Sequence, residues 1–380
     1  MAKFFNKLRN IKWRHFVNYI AIGIAAAIFS TMTFTTGLPQ STLFLLEKIT
    51  MNIILAVSLS LVVGFLGELS LGHAGFMCIG AYVGGKVATF FGAQGDGILS
   101  FVVALIVGMA IAGVFGFIIG LPALRLRGDY LAIVTLAFGE IVKTVFENTS
   151  KDTFGGPMGL RTPRFDKRYL FIIGFVLVLI TVFVIQNLIR SKHGRAITAI
   201  RDNEIAARAT GINVTKYKLM GFIISSAFAG MAGVFYSFAN STVKASVFNY
   251  NFSIEILIMV VIGGMGSITG SILAATLITY VNTQLQTVLT GDMAVMKDII
   301  YALILVLIII YNNSPALKSF REKYNLKALL DKIFKKSAAY DKDDEGAWHR
   351  VPTKISVDEL LSTDLKVTES VQDADKEDKG

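Results

Sequence analysis

Cysteine is almost absent. Cys78 stands alone among 380 residues, which excludes an internal disulfide and most zinc frameworks. Charge is scarce too: Asp, Glu, Lys and Arg make up 17% of the chain, against roughly 25% in an ordinary soluble domain. Hydrophobic residues reach 53% and mean hydropathy is +0.60. No single core could hide that much apolar surface, so the solvent for most of this chain is lipid. A nucleotide-binding loop is also missing. Gly80-Ala81-Tyr82-Val83-Gly84-Gly85-Lys86 follows the first seven positions of the phosphate-binding pattern, but Val87 stands where Ser or Thr must ligate magnesium, and the segment lies inside an apolar run instead of after a strand. If the chain works with ATP, another chain supplies the ATPase.

The 37 basic and 27 acidic residues give a net charge of +10, and its placement decides its meaning. Residues 1–15 hold Lys3, Lys7, Arg9, Lys12 and Arg14 without one acid, and residues 187–218 and 312–340 each hold seven basic residues against two acidic ones. Basic residues flank apolar runs, as the positive-inside rule requires of cytoplasmic segments. Membrane topology explains the sign, and nucleic acid is not expected as a partner.

A bilayer core needs roughly 20 apolar residues per helix. Such runs lie near 16–36, 42–66, 74–92, 98–121, 129–147, 168–190, 216–239, 252–266, 268–289 and 296–311. The expected fold is all-α, a polytopic inner-membrane bundle of about ten spans with cytoplasmic termini. Because 252–266 and 129–147 are short, nine crossings or one re-entrant segment is the alternative. The first run starts like a signal peptide but is too long and lacks a sensibly placed A-x-A site, so it reads as an uncleaved anchor. The domains are then a basic cytoplasmic stretch at 1–15, a transmembrane domain at 16–311, a basic amphipathic segment at 312–340 and a tail at 341–380. The third suits a helix on anionic membrane lipid, a solvated tail helix being the other reading. The tail has twelve acidic and six basic residues, a disordered composition.

Glycine interrupts two apolar stretches. One is Gly67-Glu68-Leu69-Ser70-Leu71-Gly72-His73-Ala74-Gly75. The other, after Ser253-Ile254-Glu255, is Gly263-Gly264-Met265-Gly266-Ser267. Unwound backbone at membrane depth survives only beside protein or a water-filled cavity, and paired interruptions in the two halves of a chain point to a transporter's pathway. Close helix packing is the bland explanation of such glycines. Candidates for the translocation pathway are Glu68, Ser70, Gly72, His73, Glu255, Gly263 and Gly264. Glu68 should find a partner in His73 or in the 253–267 segment. Glu140, Lys143 and Glu147 share one helix face, which reads as a self-satisfied polar contact, and Phe154–Gly159 as a turn-rich external loop.

The cytoplasmic segment 194–217 contains Arg201-Asp202-Asn203-Glu204-Ile205-Ala206-Ala207-Arg208-Ala209-Thr210-Gly211. Asp202 or Asn203 can cap a helix, Glu204 complements its N-terminal dipole and Gly211 can end it. A helix of about two turns is too short to stand alone in water. Its apolar side, Ile205, Ala206 and Ala209, therefore needs a docking partner. Residues Arg201, Asp202, Asn203, Glu204, Ala206, Ala207 and Gly211 are the candidates for coupling to a peripheral ATPase.

Four stretches, 69–82, 124–143, 194–219 and 253–270, together with Phe154–Leu160, resemble the branched-chain amino acid ABC transporter permeases of the LivM type. The resemblance implies a non-enzymatic permease subunit without cofactor, metal or catalytic residue. It implies three kinds of partner besides lipid: a second, LivH-like permease, two cytoplasmic ATPase subunits and an extracytoplasmic substrate-binding protein. Residues 204–211 resemble the E-A-A-x3-G loop of ABC importers, with Ile205 intervening between Glu204 and the alanines. The alternatives are a urea or short-chain amide permease and an ion-coupled secondary transporter. The latter would need Glu68 and His73 as its ion site and has no use for an ATPase-docking helix. A membrane enzyme finds no coherent constellation.

Overall fold

A computed structural model describes residues 17–35, 37–92, 97–126, 128–163 and 167–288, with Leu303 and Val306. The N-terminal basic stretch, most of the run at 296–311, the segment 312–340 and the tail 341–380 lie outside the described residues. Nine of the ten expected runs coincide with helices: α1 (Val17–Thr35), α2 (Gln40–Ser60), α3 (His73–Gly92), α4 (Gly97–Ala123), α5 (Asp129–Glu147), α7 (Lys167–Arg190), α10 (Val214–Ala239), α11 (Tyr250–Gly263) and α12 (Ile268–Val288). Between them come three short helices, α6 (Lys151–Phe154), α8 (Lys192–Asp202) and α9 (Glu204–Ala209). Among the described residues five helical stretches are long and apolar enough to cross a membrane: Gln40–Leu66, His73–Phe91, Gly97–Ala123, Tyr169–Arg190 and Val214–Ala239. The protein is therefore a multi-pass helical membrane protein. The helices α1 and α11 are apolar but shorter, while α5 carries Asp129, Glu140, Lys143 and Glu147 and is amphipathic.

The centre of the bundle is α2. Its sequence is largely apolar, and every residue from Ile49 to Leu66 is buried, as expected of a helix that touches protein all round. It packs against α7, α10, α11 and α12, while α3 and α4 pack against α10. The outer helix α4 turns Gly108, Ala112, Gly113, Gly116 and Gly120 inward and leaves Ile98, Leu99, Ile106, Val114 and Ile118 exposed, an apolar face suited to lipid. Small residues let backbones approach where no hydrophobic force drives helices together. The glycines of the decoy phosphate loop serve this end: a Cβ on Gly80 would lie 2.1 Å from the Gly230 carbonyl oxygen.

The loop 154–160 is tied down as well as turned. Leu160–Arg161 (β1) pairs antiparallel with Thr242–Val243 (β2), Leu160 opposite Val243. The buried Tyr82 hydroxyl donates to the Val243 carbonyl at 3.1 Å, and its ring stacks on Phe146 at 4.4 Å.

Candidate functional site

Both interruptions predicted from glycine are present, and they meet. After Ser60 the helix α2 widens into a π-helical turn over Leu61–Leu66, which ends at Gly67 with φ +78°. Regular structure resumes at His73. The second break is the turn between α11 and α12, with Gly264 at φ +89° and Gly266 at φ +86°. A Cβ on Gly64 would lie 2.5 Å from the Gly266 backbone nitrogen, so residues two hundred positions apart touch backbone to backbone. Gly263 lies equally close to Gly270, and Gly72 packs on the Thr135 carbonyl.

The non-helical segment 67–72 borrows hydrogen-bond partners from its neighbours, as buried backbone must. Glu68 N–H donates to the Val62 carbonyl at 3.1 Å, Leu71 N–H to Thr135 Oγ1 at 3.0 Å, and Ala74 N–H to Ser253 Oγ at 3.1 Å. Around them lies a buried polar group. His73 Nε2 is 3.0 Å from Ser58 Oγ, Ser225 Oγ donates to the Ser58 carbonyl at 2.5 Å, and the Ser70 hydroxyl is buried with no partner among the described residues.

Glu68 does not pair with His73 or with 253–267, as the sequence suggests. Its carboxylate takes the ammonium of Lys218, a residue of α10 only 4% exposed. Lys218 also reaches Glu204 Oε2 at 3.2 Å, and Glu204 Oε1 accepts from Arg208 at 2.9 Å. A buried ammonium is costly unless oxygen surrounds it, and here two carboxylates from different elements do so. The Arg201 guanidinium donates to the Gly64 carbonyl at 3.1 Å, an oxygen near the widened end of α2. Basic side chains commonly satisfy carbonyls at helix ends. Arg201 also forks onto Asp202 Oδ1 at 3.0 and 3.1 Å, so Asp202 is a salt-bridge partner and not the cap.

The cap is Asn203, whose Oδ1 accepts from Ile205 N–H and Ala206 N–H at 3.0 Å each. Helix α9 ends before Gly211, at φ +85°. The segment holds a second helix that the 203–211 reading missed: α8, capped by Ser191, burying Ala196, Ile197 and Ile200. That i, i+1, i+4 spacing was the available signal. Within α9 the predicted faces need one correction. Ala207 is buried against the bundle at 4% exposure, so it cannot face a partner, whereas Ile205 is 77% exposed, and Ala206 and Ala209 are exposed beside it. An exposed isoleucine flanked by alanines, fixed from behind by ion pairs, is a small rigid apolar knob.

At the other end of α2 lies a cavity of about 680 Å³, lined by α2, α10, α11 and α12. Of the predicted pathway residues Glu255 lines it, accepting from Asn282 Nδ2 at 2.8 Å. The remaining ones gather at or near the two breaks. The pair Glu140–Lys143 is closed at 2.9 Å, and Glu140 Oε1 also caps α11 through Tyr250 N–H at 2.8 Å, which makes this polar face a helix contact.

Comparison with known proteins places the whole arrangement. A family model described as the permease component of the branched-chain amino acid transport system matches residues 41–309. The chain is 39% identical over 258 residues to the high-affinity branched-chain amino acid transport permease LivM of Escherichia coli K12, covering 60% of this chain and 59% of that protein. The match thus spans under two thirds of that relative. It is 30% identical over 161 residues to a probable branched-chain amino acid permease LivH of Methanocaldococcus jannaschii, covering 42% of this chain and 47% of the relative. It is 26% identical over 319 residues to the ribose import permease RbsC of Escherichia coli K12, covering 77% and 92%. No solved structure matches. With five membrane-length helices and a family match covering most of its length, the chain belongs to the branched-chain amino acid transport system permease components.

Proposed function

We propose that this chain is one permease half of an ATP-driven importer for branched-chain or other hydrophobic amino acids. It would work with a second, LivH-like permease, two cytoplasmic ATPase subunits and an external substrate-binding protein. In this reading both termini are cytoplasmic and the chain crosses about ten times. The observation that carries the proposal is the attachment of α9: an outward apolar knob at Ile205, held from behind by the Glu204–Lys218–Glu68 ion pairs. Movement of a partner bound at Ile205 would be delivered through Lys218 to α10, and through Glu68 and Arg201 to the broken end of α2. Substrate identity rests on the LivM and LivH relatives, since the ribose relative belongs to a system of different cargo.

An ion-coupled secondary mechanism is the weaker reading, because Glu68 is neutralised by Lys218 and does not wait for a transported cation. The test is Ile205→Asp. Surface substitutions of this kind change stability by about 0.5 kcal/mol or less, so the permease itself should insert and melt normally without its ATPase partner. Leucine uptake should fall at least tenfold, with binding to the external protein unchanged. Normal uptake by this variant would remove α9 as the docking element.

A further inference from the structure

Three glycines from the two breaks close around one side chain. A Cβ on Gly67 would lie 2.7 Å from Arg201 Cγ, and one on Gly266 would lie 3.3 Å from Arg201 Nη1. Gly64 touches Gly266 backbone to backbone, and its carbonyl accepts from the same Nη1 at 3.1 Å. Only glycine lets another chain come so close. The stem of Arg201 therefore lies on the end of α2, while its guanidinium reaches the point where both breaks meet. Asp202 holds the other edge of the fork, through Nε and Nη2. A lysine offers a point charge and could not serve carbonyl and carboxylate in two fixed directions. The seam also divides two surroundings. Gly67, Met265 and Ser267 are exposed, and the Arg201 side chain is 38% exposed. Farther into the bundle Ser58, Ser70, His73 and Ser225 are all buried, a polar group that is costly to enclose among apolar helices.

We infer that Arg201 is a clasp across the two breaks, a positioning residue that shuts the α8–α9 end of the polar interior against solvent. Its hydrogen bond to Gly64 holds the widened end of α2 against the turn between α11 and α12. Its stem covers Gly67, where the non-helical segment begins. With the clasp in place, the buried hydroxyls and the imidazole are separated from the exposed surface by two backbones pressed together and one guanidinium. With the clasp withdrawn, the seam has no side chain to hold it. The inference rests on the proposed importer function and gives one of its coupling residues a second, separable task.

The test uses the complete importer in membrane vesicles without ATP, with Ser70→Cys as reporter in a Cys78→Ala background. The replaced hydroxyl has no partner among the described residues to lose. A charged, membrane-impermeant thiosulfonate is applied to the face that carries α8 and α9. With Arg201 intact, labelling should be slow. Arg201→Met keeps the stem and removes the donors, and should speed labelling by about tenfold, the equilibrium weight of one hydrogen bond from a charged donor. Arg201→Lys should fall between the two. Native Cys78, fully buried, is followed in an Arg201→Met chain that retains it, and should stay unreactive. Fast labelling with Arg201 intact, no acceleration in Arg201→Met, or a reactive Cys78 would each overturn the assignment, the last by showing general loosening. Ile205→Asp separates the clasp from docking: uptake should be lost while Ser70→Cys stays slow to label. Normal uptake by Ile205→Asp would sink the docking reading alone, whereas unchanged labelling in Arg201→Met would sink the clasp alone.

Discussion

The two ends of α2 spend their polar groups in opposite ways. At the π-helical end, Lys218 satisfies Glu68 and Glu204 together, and Arg201 takes the Gly64 carbonyl. At the other end, the side-chain oxygens of Asn52 and Asn282 are buried with no donor among the described residues. Full pairing fixes the position of attached parts, while unmet acceptors cost folding energy that a ligand can return. In the proposed importer, the paired end is the one suited to pass on movement.

The largest expected effect breaks the paired end. Lys218→Met removes the shared cation and strands two carboxylates, and breaking a buried pair from one side costs about 3–5 kcal/mol. The purified assembly should melt much earlier and be recovered in low yield. Adding Glu68→Gln to it should restore part of the loss, which a thermal scan of the double variant checks.

Glu68→Gln alone should be milder. It keeps the shape, and Lys218 retains Glu204, so the stability loss should stay near 1–2 kcal/mol. Uptake per assembled complex should fall further than melting predicts, because the tie between α10 and the end of α2 is loosened. Normal uptake with a large melting shift would make the ion pair purely structural.

The smallest stability effect belongs to the unmet end. Asn52→Leu gives up one hydrogen bond to Thr279 but also deletes a stranded acceptor, a trade that leaves stability within about 1 kcal/mol. If melting fell as far as in Lys218→Met, the contrast between the two ends would collapse.

Local features were legible in the sequence, and distant pairings were not. Apolar length located the helices, glycine located both breaks, and the Asn203 cap and Gly211 stop follow from backbone chemistry within a few residues. The partner of Glu68 lies 150 positions away, and no periodicity announces it. A lysine a few residues inside the apolar run of α10 was the one hint. Short-range reasoning put His73 beside Glu68, but the chain between them is non-helical, and the imidazole turns to Ser58 instead. The orientation of α9 was half legible: its apolar side was named, yet burial of Ala207 depends on how α8 seats Ile197 and Ile200. The cavity was missed apart from Glu255, because Glu47 and Asn52 on α2 and Asn282 on α12 each look like an ordinary polar residue in an apolar run.

The seam where α3, α4 and α10 meet has a mechanical consequence. A Cβ on Gly230 would come within 2.3 Å of the Ala112 Cβ, and one on Gly233 within 2.0 Å of the Met77 carbonyl oxygen. Surfaces pressed together this closely have no slack to absorb a push, since packed interiors transmit strain instead of yielding. If α9 is the coupling element proposed above, a displacement of Lys218 would move α3, α4 and α10 together, and the stroke at the far end would be set by the length of α10.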